Sequence, residues 1–421
     1  MAAGNVSQAL GSMQEYVRPD LEILMMLGPS RLWKRITTRT DVKAVSNRPS
    51  RIPFQVQAGG KLRADPTGFN GGDMGTGSGP NETYGQLSCT SFLYCASYTA
   101  AADYNTDSDE KAIESYVKLT HTQALDVVAQ AMDAIFAGVG SNGSNTLDTV
   151  VSTTTDGLVV TNANEFYSNQ DVDCWSALGG VLLGTVTVLT VDFANKTIWL
   201  TGPVPAGVVA GTLLLVSGSA GQANSGLAGL RAYQSAGNTG SYMGIQKSSF
   251  PGDFSTPNIS VGGTLTPAVA RAVEAQIEGA IGIEKADQSK IIAHCNTDMR
   301  AAWENTGLNV QHLIYNEMKG DSSADMLKRK PPLTIAGREM LVNEHAAQGL
   351  IDFLALEHWF RIESKKLDLY DVGGQTLFPE YGISGGLASV DMFYYNWSCQ
   401  VGSGQPRAGA YLSNVSVPKF Y

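Results

Sequence analysis

A glycine-rich, nearly charge-free stretch sits between a basic arm and a long amphipathic pattern, and that order constrains the fold of this chain more than any other feature. Eight glycines fall between Gly59 and Gly79: Gly59, Gly60, Gly68, Gly71, Gly72, Gly75, Gly77 and Gly79. On one side lies Arg51-Ile52-Pro53-Phe54-Gln55-Val56-Gln57. On the other lies Tyr84 to Tyr98, with Leu87, Cys89, Ser91, Leu93 and Cys95 at odd positions. Two strands around a flexible tip predict a long β-hairpin. A hairpin alone is marginal in water, and little apolar sequence lies nearby to support it. The expectation is that it packs on another chain, which points to an assembly subunit and away from a self-contained enzyme.

The 421 residues allow two or three domains. Charged residues make up 16% of the chain, against about 25% in an ordinary soluble domain. So low a charge fits a subunit covered by its own copies, and it fits a β-rich globular protein with many turns. Composition leaves both open. The net charge of −10 is unevenly spread. Arg31, Lys34, Arg35, Arg39, Lys43, Arg48, Arg51, Lys61 and Arg63 are basic, and Asp41 is the one acid among them. That segment is +8 and the remainder of the chain is −18. A basic arm on an acidic body can touch nucleic acid, lie on a neighbour's acidic surface, or stay solvated. Its residues match no base-reading motif, which argues against sequence-specific recognition.

Cys89, Cys95, Cys174, Cys295 and Cys399 are odd in number and contain no CxxC pair. They read as free thiols in a reducing compartment, with Cys89 and Cys95 as small apolar fillers. No signal peptide is expected, because the apolar run Leu21–Leu27 lies deep and lacks a basic leader. The apolar runs Leu178–Val191 and Val204–Val216 are broken by glycine and fall short of the roughly 20 residues a membrane span needs.

The pattern along the chain alternates β and α signals. A short helix is expected around Pro19 to Leu27. Asp107-Ser108-Asp109-Glu110 reads as a capping box. It opens a helix from Asp109 to Ala137, with Ile113, Val117, Ala124, Val128, Met132, Ile135 and Phe136 on one face and Gly138 to stop it. A polar loop is expected over 140–155, and a helical piece over Asn169–Gly180. A small β module follows, with strands at Thr185–Val191, Thr197–Leu200 and Thr212–Val216. Thr266 with Pro267 starts a helix carrying Val269, Val273, Ile277 and Ile281. Ile291–Cys295 reads as a buried strand, and Asn296 caps the helix through Trp303. Strands are expected at Leu333–Val342, Leu350–Leu356, Phe393–Tyr395 and Gly409–Ser416.

Catalytic and metal motifs were sought without result. His121, His294, His312, His345 and His358 form neither HExxH nor a zinc cluster. There is no GxSxG elbow and no P-loop. His294 and Cys295 point to opposite faces of a strand and suit a core or interface. Glu344-His345 and Glu357-His358 are neighbours in sequence without a third triad member. Asp65 to Asp73 suits a flexible loop tip better than a calcium loop. No cofactor and no catalytic residue is expected.

The order of parts resembles the major capsid proteins of tailed bacteriophages, the Hong Kong-type coat fold. Three passages carry the likeness locally. One is the strand-to-helix step Lys290-Ile291-Ile292-Ala293-His294-Cys295-Asn296-Thr297-Asp298-Met299. Another is Ile335-Ala336-Gly337-Arg338-Glu339-Met340-Leu341-Val342, with Gly349 to Leu354 and Trp359 to Ile362. The third is Met392 to Trp397 with Pro406 to Val415. The resemblance implies an α+β chain. Its parts would be an N-terminal arm (1–50), an extended loop or E-loop (51–105), a spine helix with peripheral domain (106–183), a β insertion (184–217), an axial domain with peripheral elements (218–380) and a return to the peripheral domain (381–421). It also implies self-assembly into hexamers and pentamers of an icosahedral virion shell around double-stranded DNA, built in the host cytoplasm. A separate scaffolding protein, a portal and a decoration protein would be partners, and a membrane would not. The residues expected at contacts between subunits or on the inner surface are Arg31, Lys34, Arg35, Arg39, Lys43, Arg48 and Arg51 in the arm, with Lys61, Arg63, Gly68, Gly71 and Gly72 in the loop. A tail or adhesion protein, or a β-rich hydrolase, are the rival readings. The first tends to show repeats, which are missing here, and the second needs a convergent site.

Overall fold

In the computed structural model, residues 32–39, 49–60, 78–99, 116–140, 143–222, 225–304, 306, 334–381 and 387–416 are described. The expected helix over 19–27 and the start of the helix at Asp109 lie outside them.

From Leu32 the described chain turns once through Trp33–Arg35 and lays down a short strand, β1 (Thr37–Thr38). Next comes the hairpin, β2 (Ser50–Gln57) and β3 (Asn81–Leu87), in antiparallel register from Ser50↔Leu87 to Gln57↔Asn81. The expected single strand from Tyr84 to Tyr98 is two strands. The chain breaks at Ser88-Cys89, and β4 (Thr90–Thr99) leaves the hairpin to pair elsewhere. Helix α1 (Tyr116–Ala137) has 22 described residues, about 33 Å at 1.5 Å per residue. Its face of Ala124, Val128, Met132, Ile135 and Phe136 is buried, as the spacing predicts. Gly138 ends it, donating its N–H to the Ala134 carbonyl at 2.8 Å.

A closed six-stranded barrel follows: β5 (Thr146–Thr153), β6 (Gly157–Val160), β7 (Asp171–Trp175), β8 (Leu182–Asp192), β9 (Thr197–Leu200) and β10 (Leu213–Val216), in the order β10-β5-β6-β9-β8-β7. The expected three-strand module is thus half of a barrel that begins at Thr146. Two expectations are overturned. The "loop" over 140–155 contains β5, whose Leu147 and Val150 are buried. The "helix" over 169–180 is β7, a strand whose Val172 and Cys174 fill the barrel. On the other face of β7, Asp171 and Asp173 accept hydrogen bonds from the Thr187 and Thr185 hydroxyls of β8, both at 2.6 Å. Alternation of period two, held by cross-strand pairs, outweighs the helical signal.

The remaining elements are α2 (Leu230–Tyr233), β11 (Ser241–Tyr242), β12 (Ile245–Gln246), β13 (Asn258–Gly263), α3 (Pro267–Ile281), α4 (Ile283–Gln288), β14 (Ile291–Cys295), β15 (Thr334–Ile335), β16 (Arg338–Val342), β17 (Ile351–Ala355), β18 (Trp359–Leu369), β19 (Leu377–Tyr381), β20 (Leu387–Ser403) and β21 (Ala410–Val415). Thr266 accepts from the Val269 N–H and Pro267 opens α3, so that helix starts where the sequence places it. Asn296 caps the next helical turn by accepting from the Met299 N–H at 2.9 Å.

Two further sheets organise these parts. A five-stranded sheet has the order β1-β18-β20-β19, with β4 along β20. A six-stranded sheet has the order β13-β21-β17-β14-β16-β15. The six-stranded sheet and α3 share one apolar core, which includes Val273, Ile277, Ala293, Cys295, Phe353 and Leu412. A second core joins the barrel, α1, the five-stranded sheet and the hairpin base.

Candidate assembly surfaces and the polar seam

The arm residues that the structure describes lie along the outer edge of the five-stranded sheet. β1 pairs parallel with β18, Thr37 against Phe360. Leu32, Trp33 and Ile36 are buried and anchor the segment. Lys34 and Arg35 are exposed. Arg35 reaches Glu339 of β16 at 3.2 Å, and Arg39 lies over the Phe360 ring at 4.8 Å. Arg51 is exposed on β2, opposite Gln86. The structure therefore places Lys34, Arg35 and Arg39 in one segment at the sheet edge and leaves Arg51 on the hairpin. Arg31, Lys43, Arg48, Lys61, Arg63, Gly68, Gly71 and Gly72 lie outside the described residues.

The hairpin has two unlike faces. Ile52, Phe54, Gly85 and Leu87 turn inward; Arg51, Pro53, Gln55, Tyr84 and Gln86 turn outward and are exposed. The inward face corrects the expectation that the hairpin lacks support within its own chain. Phe54 packs edge-on against Phe254 at 5.5 Å and Tyr242 at 6.3 Å, and Gln86 donates its N–H to the Met243 carbonyl at 2.7 Å. Gly85 permits that packing: a Cβ there would sit 2.8 Å from Phe54 Cε2. The barrel wall offers a further surface, with Val151, Leu189, Phe193 and Trp199 exposed.

Beneath the arm runs a buried polar seam that ties four parts together. The Trp33 N–H donates to Asp133 Oδ1 of α1 at 2.9 Å. Asn343, just after β16, donates to Asp133 Oδ2 at 3.1 Å. His345 Nδ1 meets Glu165 Oε2 at 3.2 Å. Asn162 bridges the barrel side, donating from its backbone to Asp148 at 2.7 Å and from its amide to Glu165 at 3.0 Å and to the Glu344 carbonyl at 2.9 Å. Asp133, Asp148, Glu165, Asn343 and His345 are all buried. Burial pushes Glu165 up to about 7 against the pull of His345, and pushes Asp148 up to about 6 against the hydrogen bonds from Asn162 and Thr149. Burial alone would lower His345. The charge and hydrogen bond of Glu165, with Asp133 and Glu344, set it above its ordinary value instead.

The six-stranded sheet holds a second buried ionic group of opposite balance. Arg231 pairs with Asp352, and His294 Nδ1 lies 3.7 Å from the same carboxylate. Burial would raise Asp352, but the Arg231 charge, with the His294 ring nearby, outweighs it, and the carboxyl stays below its usual range. His294 and Cys295 are both core residues of β14. The sequence offered no sign of either grouping, since Glu165 and His345 are 180 positions apart. Among the described residues, no group of three His, Cys, Asp or Glu side chains is placed to hold a metal, and no helix is long and apolar enough to cross a membrane.

No protein-family model matches the chain, and no curated protein matches it. Solved structures do. A chain of the cyanophage A-1(L) capsid is 12% identical, with a TM-score of 0.55 over 94% of this chain and 95% of that one. A chain of the capsid of an empty GTA particle is 10% identical, with a TM-score of 0.48 and 94% of each chain covered. The holo-SrpI encapsulin of Synechococcus elongatus is 8% identical, with a TM-score of 0.44 over 100% of this chain and 99% of that one. The cyanophage likeness establishes the fold: nearly the whole chain has the architecture of a phage capsid protein. The resemblance read from the order of parts is borne out at that level.

Proposed function

We propose that this chain is the major capsid protein of a tailed double-stranded DNA phage, self-assembling into an icosahedral head shell. One observation carries the reading: a phage capsid chain matches 94% of this chain and is itself matched over 95% of its length, so the whole architecture is shared and not one module. On this reading α1 is the spine helix and the five-stranded sheet is the peripheral domain. The six-stranded sheet is the axial domain, about which hexamers and pentamers close. The hairpin is the E-loop, and residues 1–50 are the arm. The barrel, 146–216, is the insertion, larger than the 184–217 expected from sequence. Its role would be that of a structural subunit: many weak interfaces summed over a closed shell, with no bond made or broken. Packaged DNA, a separate scaffolding protein, a portal and a decoration protein are its proposed partners, and assembly takes place in the host cytoplasm.

Purified protein at micromolar concentration, alone and with scaffolding, is expected to sediment as shells or hexamer-sized rings and to show them in electron micrographs. A chain that stays monomeric at every salt concentration, with scaffolding present, would overturn the reading.

A further inference from the structure

We propose that the buried pair of Glu165 and His345, with Asp148 beside it, is a proton-operated latch, which holds the barrel against the loop after β16 at acid pH and loosens it as the pH rises through neutrality. The geometry places one charged group or hydrogen-bond donor from each part at a single junction. The arm contributes the Trp33 N–H, α1 contributes Asp133, the barrel contributes Asp148 from β5 and Glu165 from the turn between β6 and β7, and the loop after β16 contributes Asn343, Glu344 and His345. The charges acting on Glu165 are positive His345 and negative Asp148 and Asp133; those acting on His345 are Glu165, Asp133 and Glu344. One cation thus answers several carboxylates in a dry site, where an unneutralised charge is costly. Gly138, at the end of α1, lets the carboxylate come this close to the helix: a Cβ there would stand 3.1 Å from Glu165 Oε1.

The sign follows from proton counting. Glu165 and Asp148 rise to about 7 and about 6 from ordinary values of 4.5 and 3.8, and His345 rises above 6.5. Each group therefore holds its proton more tightly in the folded chain. Its contribution to stability is complete below the unfolded value and is lost as the pH climbs through the folded one. Above that window His345 is neutral and the carboxylates face one another uncompensated. The part loosened is the join between the barrel, which carries Glu165, and the loop after β16, which carries His345. This inference concerns the single chain and does not depend on the shell reading.

Two measurements on the full-length chain test it. Hydrogen–deuterium exchange at histidine C2, read peptide by peptide by mass spectrometry, gives the midpoint of His345 in the wild type. A midpoint above about 6.5 is expected, and one at or below that value overturns the latch. Amide exchange, corrected for intrinsic rate, is then compared at pH 6 and pH 9. Peptides covering 157–165 and 343–347 should lose about tenfold protection, equivalent to one pKa unit, while 291–295 in the sheet centre stays protected. Equal protection at both pH values overturns it. In Glu165→Gln the His345 midpoint should fall, and an unchanged midpoint counts against the latch. If that variant does not fold, the two wild-type measurements still decide.

Discussion

The barrel and the hairpin are built from the same antiparallel pairing, yet they stand at opposite ends of self-sufficiency. The barrel closes its ladder into a ring and fills it with its own Leu147, Leu158, Val172, Cys174, Val188, Ile198 and Leu214. The hairpin has two strands, buries one face at its base and turns Arg51, Pro53, Gln55, Tyr84 and Gln86 to solvent. Closure satisfies every strand's backbone; an open pair leaves donors and acceptors for something else. Closure keeps a sheet's stability local, while an open pair depends on what packs against it.

The comparison can be broken in several ways, and the largest effect is expected at the hairpin tip. Deleting Pro66 to Gly77 keeps the Gly60 N–H to Ser78 carbonyl bond that closes the described part of the hairpin. Loop tips tolerate such loss, so the chain should melt cooperatively at an unchanged temperature but fail to form shells. Normal shells in micrographs would mean that the tip carries no contact between subunits. In the barrel, Ile198→Ala empties a fully buried site and should cost about 2–5 kcal/mol. Amide exchange should rise across 146–216 while the hairpin pairs stay protected; a rise in the hairpin would show that the barrel is not self-contained. Gly85→Ala puts a methyl against Phe54 and should cost about 1–3 kcal/mol by overpacking. The cost should appear as faster exchange at Gln86, and a wild-type rate there would mean that the ring simply turns aside.

The smallest effect per residue belongs to the arm. Arg35 and Glu339 are both substantially exposed, and such pairs contribute about 0.2–1 kcal/mol, screened by salt. Replacing Arg31, Lys34, Arg35 and Arg39 together by Gln should shift particle yield to lower salt and leave the subunit folded. Superimposed yield curves for the two proteins would show that the arm's charge is incidental.

The sequence was legible where one residue's chemistry fixes one local bond. Thr266-Pro267 and Asn296 mark helix starts that the structure reproduces within a residue or so. It was illegible where a distant partner decides. Ser88 interrupts the predicted strand, and its carbonyl accepts from the Gln400 side chain at 3.0 Å. β4 then pairs with β20, some three hundred positions along. The threonines and the serine of 146–153 read as loop because they are polar, yet the barrel uses them as strand. The arm's charges were visible, but its anchors, Leu32, Trp33 and Ile36, were not, since three apolar residues make no periodic signal. The seam left no trace either, because Glu165 and His345 gain their meaning only when the barrel meets the sheet.

β20 has a consequence for the order in which the molecule can come into being. This 17-residue strand lies near the end of the chain. It pairs with β18, β19 and β4, and β18 in turn carries β1. The five-stranded sheet therefore cannot be completed on the ribosome until residue 403 has left the exit tunnel. Pairings so far apart in sequence form slowly. A half-made chain can fold its barrel, whose strands lie within 71 consecutive residues, 146–216, but it has no finished platform on which to seat the early strands. Translation thus leaves the five-stranded sheet open until β20 emerges, long after the barrel has received its last strand.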